Sequence, residues 1–185
     1  DLPHGTEEVL ILCGDTPLLQ SDTLERLVCA HRKSHAAVTV LTACCDDPTG
    51  YGRVVRDGEG LVQAIVEQKD ATPEQAEIRE INSGIYCMDR AFLERYISCL
   101  QPQNAQGEYY LTDMVALAVH HGLACVALCC EDVEETLGVN DREQLAYAAR
   151  VLRSRINQRL MRDGVTMIDP LCTYVDASVV IGQDT

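Results

Sequence analysis

Short uninterrupted apolar runs alternate along this chain with stretches in which apolar residues recur every three or four positions. Val9 to Leu12 ends abruptly at Cys13, Gly14 and Asp15, with Pro17 behind. That pattern predicts a strand buried on both faces of an α/β sheet, with Asp15 emerging at its carboxyl end, where such sheets bind ligands. Leu24, Leu27, Val28 and His31 fall at helical spacing over residues 22–34, and Asp22 with Glu25 predicts a capping box. Ala36 to Ala43 is the next strand. Arg53 to Arg56 and Leu61 to Glu67 flank Asp57-Gly58-Glu59-Gly60 and predict a hairpin. Thr72-Pro73-Glu74-Gln75 starts a short helix with proline in its first turn. A strand over Ile81 to Met88 follows, then helices over Asp89 to Leu100 and Leu111 to His121. A strand over Ala124 to Cys130 and a long helix over Asp141 to Asp163 complete the alternation. The whole predicts an α/β domain over residues 1–163 with one inserted hairpin.

The tail, residues 164–185, has a different rhythm. Val175 and Ile181 stand six apart, one followed by Asp176 and the other by Gly182. Six is the period of a left-handed parallel β-helix, although an ordinary strand explains two such hits nearly as well. A solenoid needs about three coils to bury its faces. The tail is therefore expected to begin a β-helix without completing one.

Composition narrows the partners. The apolar share of 46% and charged share of 24% are those of an ordinary globular protein. A net charge of −14 repels nucleic acid and anionic membranes, and it makes a cation such as magnesium useful to a protein that handles polyphosphates. No apolar run approaches membrane-spanning length. None of the ten cysteines stands in a C-x-x-C pair, so they read as small core hydrophobes in a reducing cytoplasm rather than as zinc ligands or a disulfide scaffold. His31 and His35 stand one helical turn apart, as zinc ligands can. With Arg32 and Lys33 beside them and no third ligand, they read as a solvated face. Arg150, Arg153, Arg155 and Arg159 likewise read as a solvated stripe. No serine–histidine–acid order or zinc-protease motif is present.

Five polar clusters fall beside predicted strand or helix ends: Gly14-Asp15, Asp47 to Arg53, Val66 to Asp70, Ile81 to Gly84, and Gly138 to Arg142. Together with Ala105 to Asp113 and the six-residue tail period, they resemble the uridyltransferase domain of the bacterial bifunctional enzymes that make UDP-N-acetylglucosamine. The resemblance runs in the family's order over essentially the whole chain. It implies a mixed-sheet, Rossmann-like nucleotide-diphospho-sugar transferase fold. The implied reaction is attack of N-acetylglucosamine 1-phosphate on the α-phosphorus of UTP with release of pyrophosphate, a cytoplasmic step toward peptidoglycan and cell-wall synthesis. The second activity implied for the parent is acetyl-CoA-dependent acetylation of glucosamine 1-phosphate, in a homotrimer built through the β-helix.

Residue by residue, the resemblance assigns Asp15 and Asn140 to a catalytic Mg2+ ion. Cys13, Gly14, Gly52, Glu67 and Asn82 would bind substrate, with Glu108, Tyr110 and Thr112 lining the same pocket. Read without the family, Asn140 is an N-cap for the helix at Asp141 and Gly52 a turn after Pro48. Glu67 is then a solvated strand end, and Thr112 a cap for the helix that follows. Asn82 would offer both a donor and an acceptor from within a strand. The family's Gly-rich triphosphate loop, roughly G-x-G-T-R-M, has no counterpart in these residues, and the chain begins at Asp1 rather than Met. It therefore reads as a middle fragment, inactive by itself and prone to self-association through the exposed edge of Val9 to Leu12. Two other readings remain: a nucleotidyltransferase for another sugar 1-phosphate, and a non-catalytic sugar-phosphate-binding fragment.

Overall fold

A computed structural model describes residues 2–185. They form two compact units, one of residues 2–14 with Leu19–Leu137, the other of Asp15–Leu18 with Gly138–Thr185.

The first unit is a mixed six-stranded sheet. Its strands are β1 (Glu8–Ile11), β2 (Val38–Cys44), β3 (Arg53–Arg56), β4 (Val62–Val66), β5 (Glu80–Asp89) and β6 (Cys125–Cys130). The order is β4-β3-β5-β2-β6, and β1 pairs with β5 off this path. Among the described strands, only β2 and β6 run parallel. β5 is the hub: one edge carries β2 along most of its length. The other carries β3 at Ile81 and β1 from Tyr86 to Asp89.

The alternating side chains of β2 build two cores. Val38 and Val40 join Val54, Tyr86 and Met88 on one face, covered by Phe92 and by Met114, Val115 and Ala118 of α4 (Asp113–His120). Leu41 and Ala43 join Ile81, Ile85 and Cys87 on the other, covered by Leu27 of α1 (Ser21–Ser34). Both faces of β2 are closed, so its two interior threonines need partners. Thr39 Oγ1 lies 2.9 Å from His31 Nδ1, and Thr42 Oγ1 donates to Glu80 Oε1 at 2.8 Å.

The remaining helices are α2 (Pro73–Ala76), α3 (Arg90–Tyr96) and α5 (Arg142–Arg162). Thr72 and Gln75 form a reciprocal capping box on α2. The second unit contains α5 and the tail. Asp141 Oδ1 accepts from Gln144 N at 2.8 Å, so Asp141, not Asn140, caps α5. Asn157, buried on α5, donates through Nδ2 to Pro170 O and Thr173 O at 2.7 and 2.8 Å and so fastens the tail to the helix.

Several expectations need correction. Val9 to Leu12 is not enclosed on both faces: Leu10 and Leu12 are 37% and 47% exposed, because β1 pairs only with β5 among the described residues. α1 starts one residue early, with Gln20 at its cap and no side-chain cap bond, so Asp22 and Glu25 make no capping box. His31 is buried against the sheet rather than solvated, and burial lowers its pKa. The arginine stripe is partly engaged: Arg153 lies over the Tyr174 ring at 4.3 Å and Arg155 donates to Leu18 O at 2.6 Å. The cysteines are not uniformly core. Cys87 and Cys130 are buried, five others are exposed, and no disulfide forms among the described residues.

No strand follows β6 among the described residues, so no β-helix ladder is present. The tail nevertheless returns on itself. Thr166 N donates to Thr185 O and Asp184 N to Gly164 O, both at 3.0 Å.

Candidate active site

The sheet brings Gly52, Glu67 and Asn82 together. Gly52 and Glu67 flank the paired residues Arg53 and Val66 at the open end of the β3–β4 hairpin. A Cβ on Gly52 would stand 3.1 Å from Ile65 Cγ2 and 3.2 Å from Glu67 Oε1, so a side chain there would press on the carboxyl group. Asn82 of β5 donates its backbone N–H to Gly52 O at 2.9 Å.

The Asn82 side chain is oriented by two donors. Its Oδ1 accepts from Gly84 N at 3.0 Å and from the Tyr86 hydroxyl at 2.9 Å. Burial raises the Tyr86 pKa strongly, so the phenol stays protonated and donates. The acceptor half of the amide is therefore occupied, and the group left for a ligand is the NH2 donor. Asn82, expected to offer both a donor and an acceptor, offers a donor.

Glu67 is not a solvated strand end. Burial raises its pKa, opposed by the Thr112 hydroxyl and reinforced by the charges of Asp70 and Asp113. Thr112 is itself buried. It stands at the N-cap of α4 without capping it, and its Oγ1 has no partner at hydrogen-bonding geometry among the described residues. A buried hydroxyl near a half-buried carboxyl, close enough to influence it but not at hydrogen-bonding geometry, suits a polar ligand that completes the bonding of both.

The neighbouring loop is tied to the Glu67 turn. Ala105 N donates to Asp70 Oδ1 at 2.8 Å and Lys69 Nζ to Gln106 Oε1 at 2.5 Å. Within that loop Tyr110 accepts from Gln106 Nε2 at 2.7 Å and Glu108 is exposed.

Gly84 has φ +78°, and a Cβ on it would lie 2.6 Å from Cys13 Sγ. The Cys13 thiol instead points at Gly84 O, 3.4 Å away. Glycine here meets both a left-handed backbone and a close approach.

Two positioning residues carry no role in the sequence motifs. Tyr86 shares the face of Asn82 four residues on, and strand alternation could have shown it. Arg53 is 2% exposed. It donates to Gln68 Oε1 at 2.7 Å, to Ala76 O at 3.4 Å and to Tyr51 O. Gln68 Oε1 also accepts from Gly50 N at 3.2 Å, so this arginine ties the Asp47–Arg53 loop to the Glu67 turn.

In the second unit, Asp15 and Asn140 meet across Gly138. A Cβ on Gly138 would lie 3.3 Å from Asp15 Oδ2 and 3.7 Å from Asn140 Nδ2, and Val139 N donates to Asp15 O at 2.8 Å. Both side chains are exposed. The Asp15 carboxylate is a hard oxygen donor of the kind a magnesium ion takes while keeping most of its waters; the Asn140 atom nearest this space is Nδ2, so its exposed amide would have to turn to add Oδ1. No group of three or more His, Cys, Asp or Glu able to hold a metal occurs among the described residues.

The family profile described as nucleotidyl transferase matches residues 2–135. The chain belongs to that family. It is similar to the bifunctional protein GlmU of Trichlorobacter lovleyi, at 60% identity over 96% of this chain and 38% of that protein. The GlmU proteins of Pelobacter propionicus and Geotalea uraniireducens are 59% and 54% identical over the same share of this chain. The chain thus spans about 38% of the length of the relatives it matches. A solved structure from Bacillus anthracis, described as a putative glucose-1-phosphate thymidylyltransferase and bound to sucrose, shares the fold. Its TM-score is 0.56 at 20% identity, covering 90% of this chain and 59% of that one.

Proposed function

We propose that these residues are the sugar-recognition and metal-ligating part of an enzyme that transfers uridylyl from UTP to N-acetylglucosamine 1-phosphate, giving UDP-N-acetylglucosamine and pyrophosphate. The observation that carries this reading is the Gly52–Glu67–Asn82 group, with an amide held so that it can only donate beside a carboxylate that can only accept when ionised. A sugar hydroxyl satisfies both, accepting from Asn82 Nδ2 and donating to Glu67, while the Gly52 main chain allows close approach. Thr112, whose buried hydroxyl lies near Glu67, Tyr110 and Glu108 extend the same pocket in this reading, and Cys13 and Gly14 lead into it.

Asp15 and Asn140 would hold Mg2+, which when bound neutralises charge on the transferring phosphate. The protein's own contribution is to bind and orient, because phosphoryl-group transfer rests mainly on positioning and electrostatics. These residues carry no triphosphate-cradling glycine loop, so we expect no UTP turnover from the 185 residues alone. The tail's self-closing contacts and its exposed Ile168, Leu171, Tyr174 and Val180 support its reading as the first coil of an acetyltransferase β-helix, with trimer contacts beyond it. The free edge of β1 supports self-association of this chain.

The test is pyrophosphate release by the full-length protein with UTP and a panel of sugar 1-phosphates, with and without Mg2+. Preference for N-acetylglucosamine 1-phosphate, weakened chiefly in KM by Asn82→Ala, is expected. Equal use of glucose 1-phosphate would reject the assigned sugar.

A further inference from the structure

Cys44 and Cys129 end neighbouring parallel strands, and both are exposed. Their sulfurs stand 4.0 Å apart. The strand register pairs Cys129 with Thr42, so Cys44 lies two residues further along. An offset of about 6.6 Å along the strand and about 4.8 Å between strands separates the two Cα atoms by roughly 8 Å. That exceeds the about 7 Å within which two cysteines close a disulfide without backbone movement. The thiols can share an atom more readily than they can bond to each other.

The span fits a metal. With metal–sulfur bonds of about 2.3 Å, two sulfurs on one ion sit about 3.8 Å apart at a tetrahedral angle and about 4.6 Å apart in a line. The number of donors selects the ion. No third His, Cys, Asp or Glu completes a three-ligand group among the described residues. The adjacent cysteines point elsewhere: Cys45 Sγ donates to Asp47 O at 3.3 Å, and buried Cys130 Sγ to Asp132 O at 3.2 Å. Zinc, which takes four ligands in structural sites, would be under-supplied, whereas soft thiolate pairs select copper(I).

We propose that Cys44 and Cys129 form a two-thiolate site for one soft monovalent ion of the copper(I) class. Binding exchanges two thiol protons for one ion, leaving a bis-thiolate with one net negative charge and no change in oxidation state. Arg56 lies within Coulomb reach of both sulfurs and is held there by Glu80, 2.7 Å from its guanidinium. Its positive charge, shared with Glu80, lessens the charge of the complex without cancelling it. The Cys44 thiol, raised in pKa by burial and by Cys129, stays protonated until an ion displaces the proton.

The test is an anaerobic titration of the reduced chain with copper(I) against a competing chelator, read by native mass spectrometry and X-ray absorption. One ion per chain with two sulfur neighbours is expected, lost in Cys44→Ser and in Cys129→Ser and kept in Cys29→Ser. In the unsubstituted chain, the bound ion should shield Cys44 and Cys129 from alkylation while Cys29 and Cys99 react, a readout that needs no variant. Retention of the ion by both single variants, or alkylation of Cys44 and Cys129 unaffected by copper, would overturn the proposal. So would a Cys44–Cys129 disulfide formed in the folded chain under mild oxidation.

Discussion

Asn82 and Asn140 are the same residue type held in opposite ways. Asn82 sits in a central strand with its amide oxygen claimed by Gly84 N and Tyr86 Oη and its backbone bonded to Gly52. Asn140 sits on an exposed loop, its backbone N–H bonded to Gln144 Oε1 at 2.6 Å and its amide beside Gly138. The first is a preset donor that meets a ligand in one orientation. The second can turn, which suits a ligand to an ion whose remaining partners are water and phosphate. In the proposed function, recognition would thus be built into the sheet and metal ligation left to loops.

That contrast breaks first at Asp15. In the full-length protein, Asp15→Ala is expected to cost more activity than the about 10–100-fold typical of losing an outer-shell metal partner, with unchanged thermal melting. Near-normal pyrophosphate release at low magnesium would refute the ion assignment. Next comes Gly84→Ala, which imposes a strained backbone and a clash with Cys13 Sγ and should destabilise by about 1–3 kcal/mol in urea unfolding. Adding Cys13→Ala should relieve the clash and leave the backbone cost. A double variant no more stable than the single one would show that the contact carries no strain. Tyr86→Phe removes one of the two donors to Asn82 and should cost about 1 kcal/mol while raising KM for the sugar. Asn140→Ala should change stability by less than about 0.5 kcal/mol yet weaken the magnesium response.

Glu67 sharpens the comparison through pH. Its folded pKa lies above its unfolded value, so between the two the native state holds the extra proton and stability falls as pH rises. Sugar binding should move the other way, strengthening as Glu67 ionises through its raised pKa. Glu67→Gln should flatten both trends. Parallel slopes for stability and binding would contradict its acceptor role.

Most strands and helices are readable in the sequence because apolar periodicity and turn residues agree at each of them. The β3–β4 hairpin about Asp57 to Gly60 and the Thr72 capping box are the clearest cases. The failures are tertiary. Nothing local distinguishes the apolar run of β1, half open, from that of β2, closed on both faces, because exposure depends on which neighbours arrive. His31 reads as solvated beside Arg32 and Lys33, yet its own position points inward to Thr39. The site residues are legible as motifs, but their chemistry is not. Only the fold reveals that Tyr86 consumes the Asn82 acceptor, and that buried Arg53 ties Tyr51, Gln68 and Ala76 together.

The pairing of β1 with β5 joins Glu8 to Asp89, whereas β3 and β4 meet across a short turn. The hairpin can close in about 1–10 μs once its residues exist. β1 must wait for a partner some eighty residues downstream, and at about 5–20 residues per second on the ribosome that takes roughly 4–16 s. For that interval Val9, Leu10 and Ile11 travel without their β5 partner. Among the pairings of the described strands, β1 thus waits longest for its first partner.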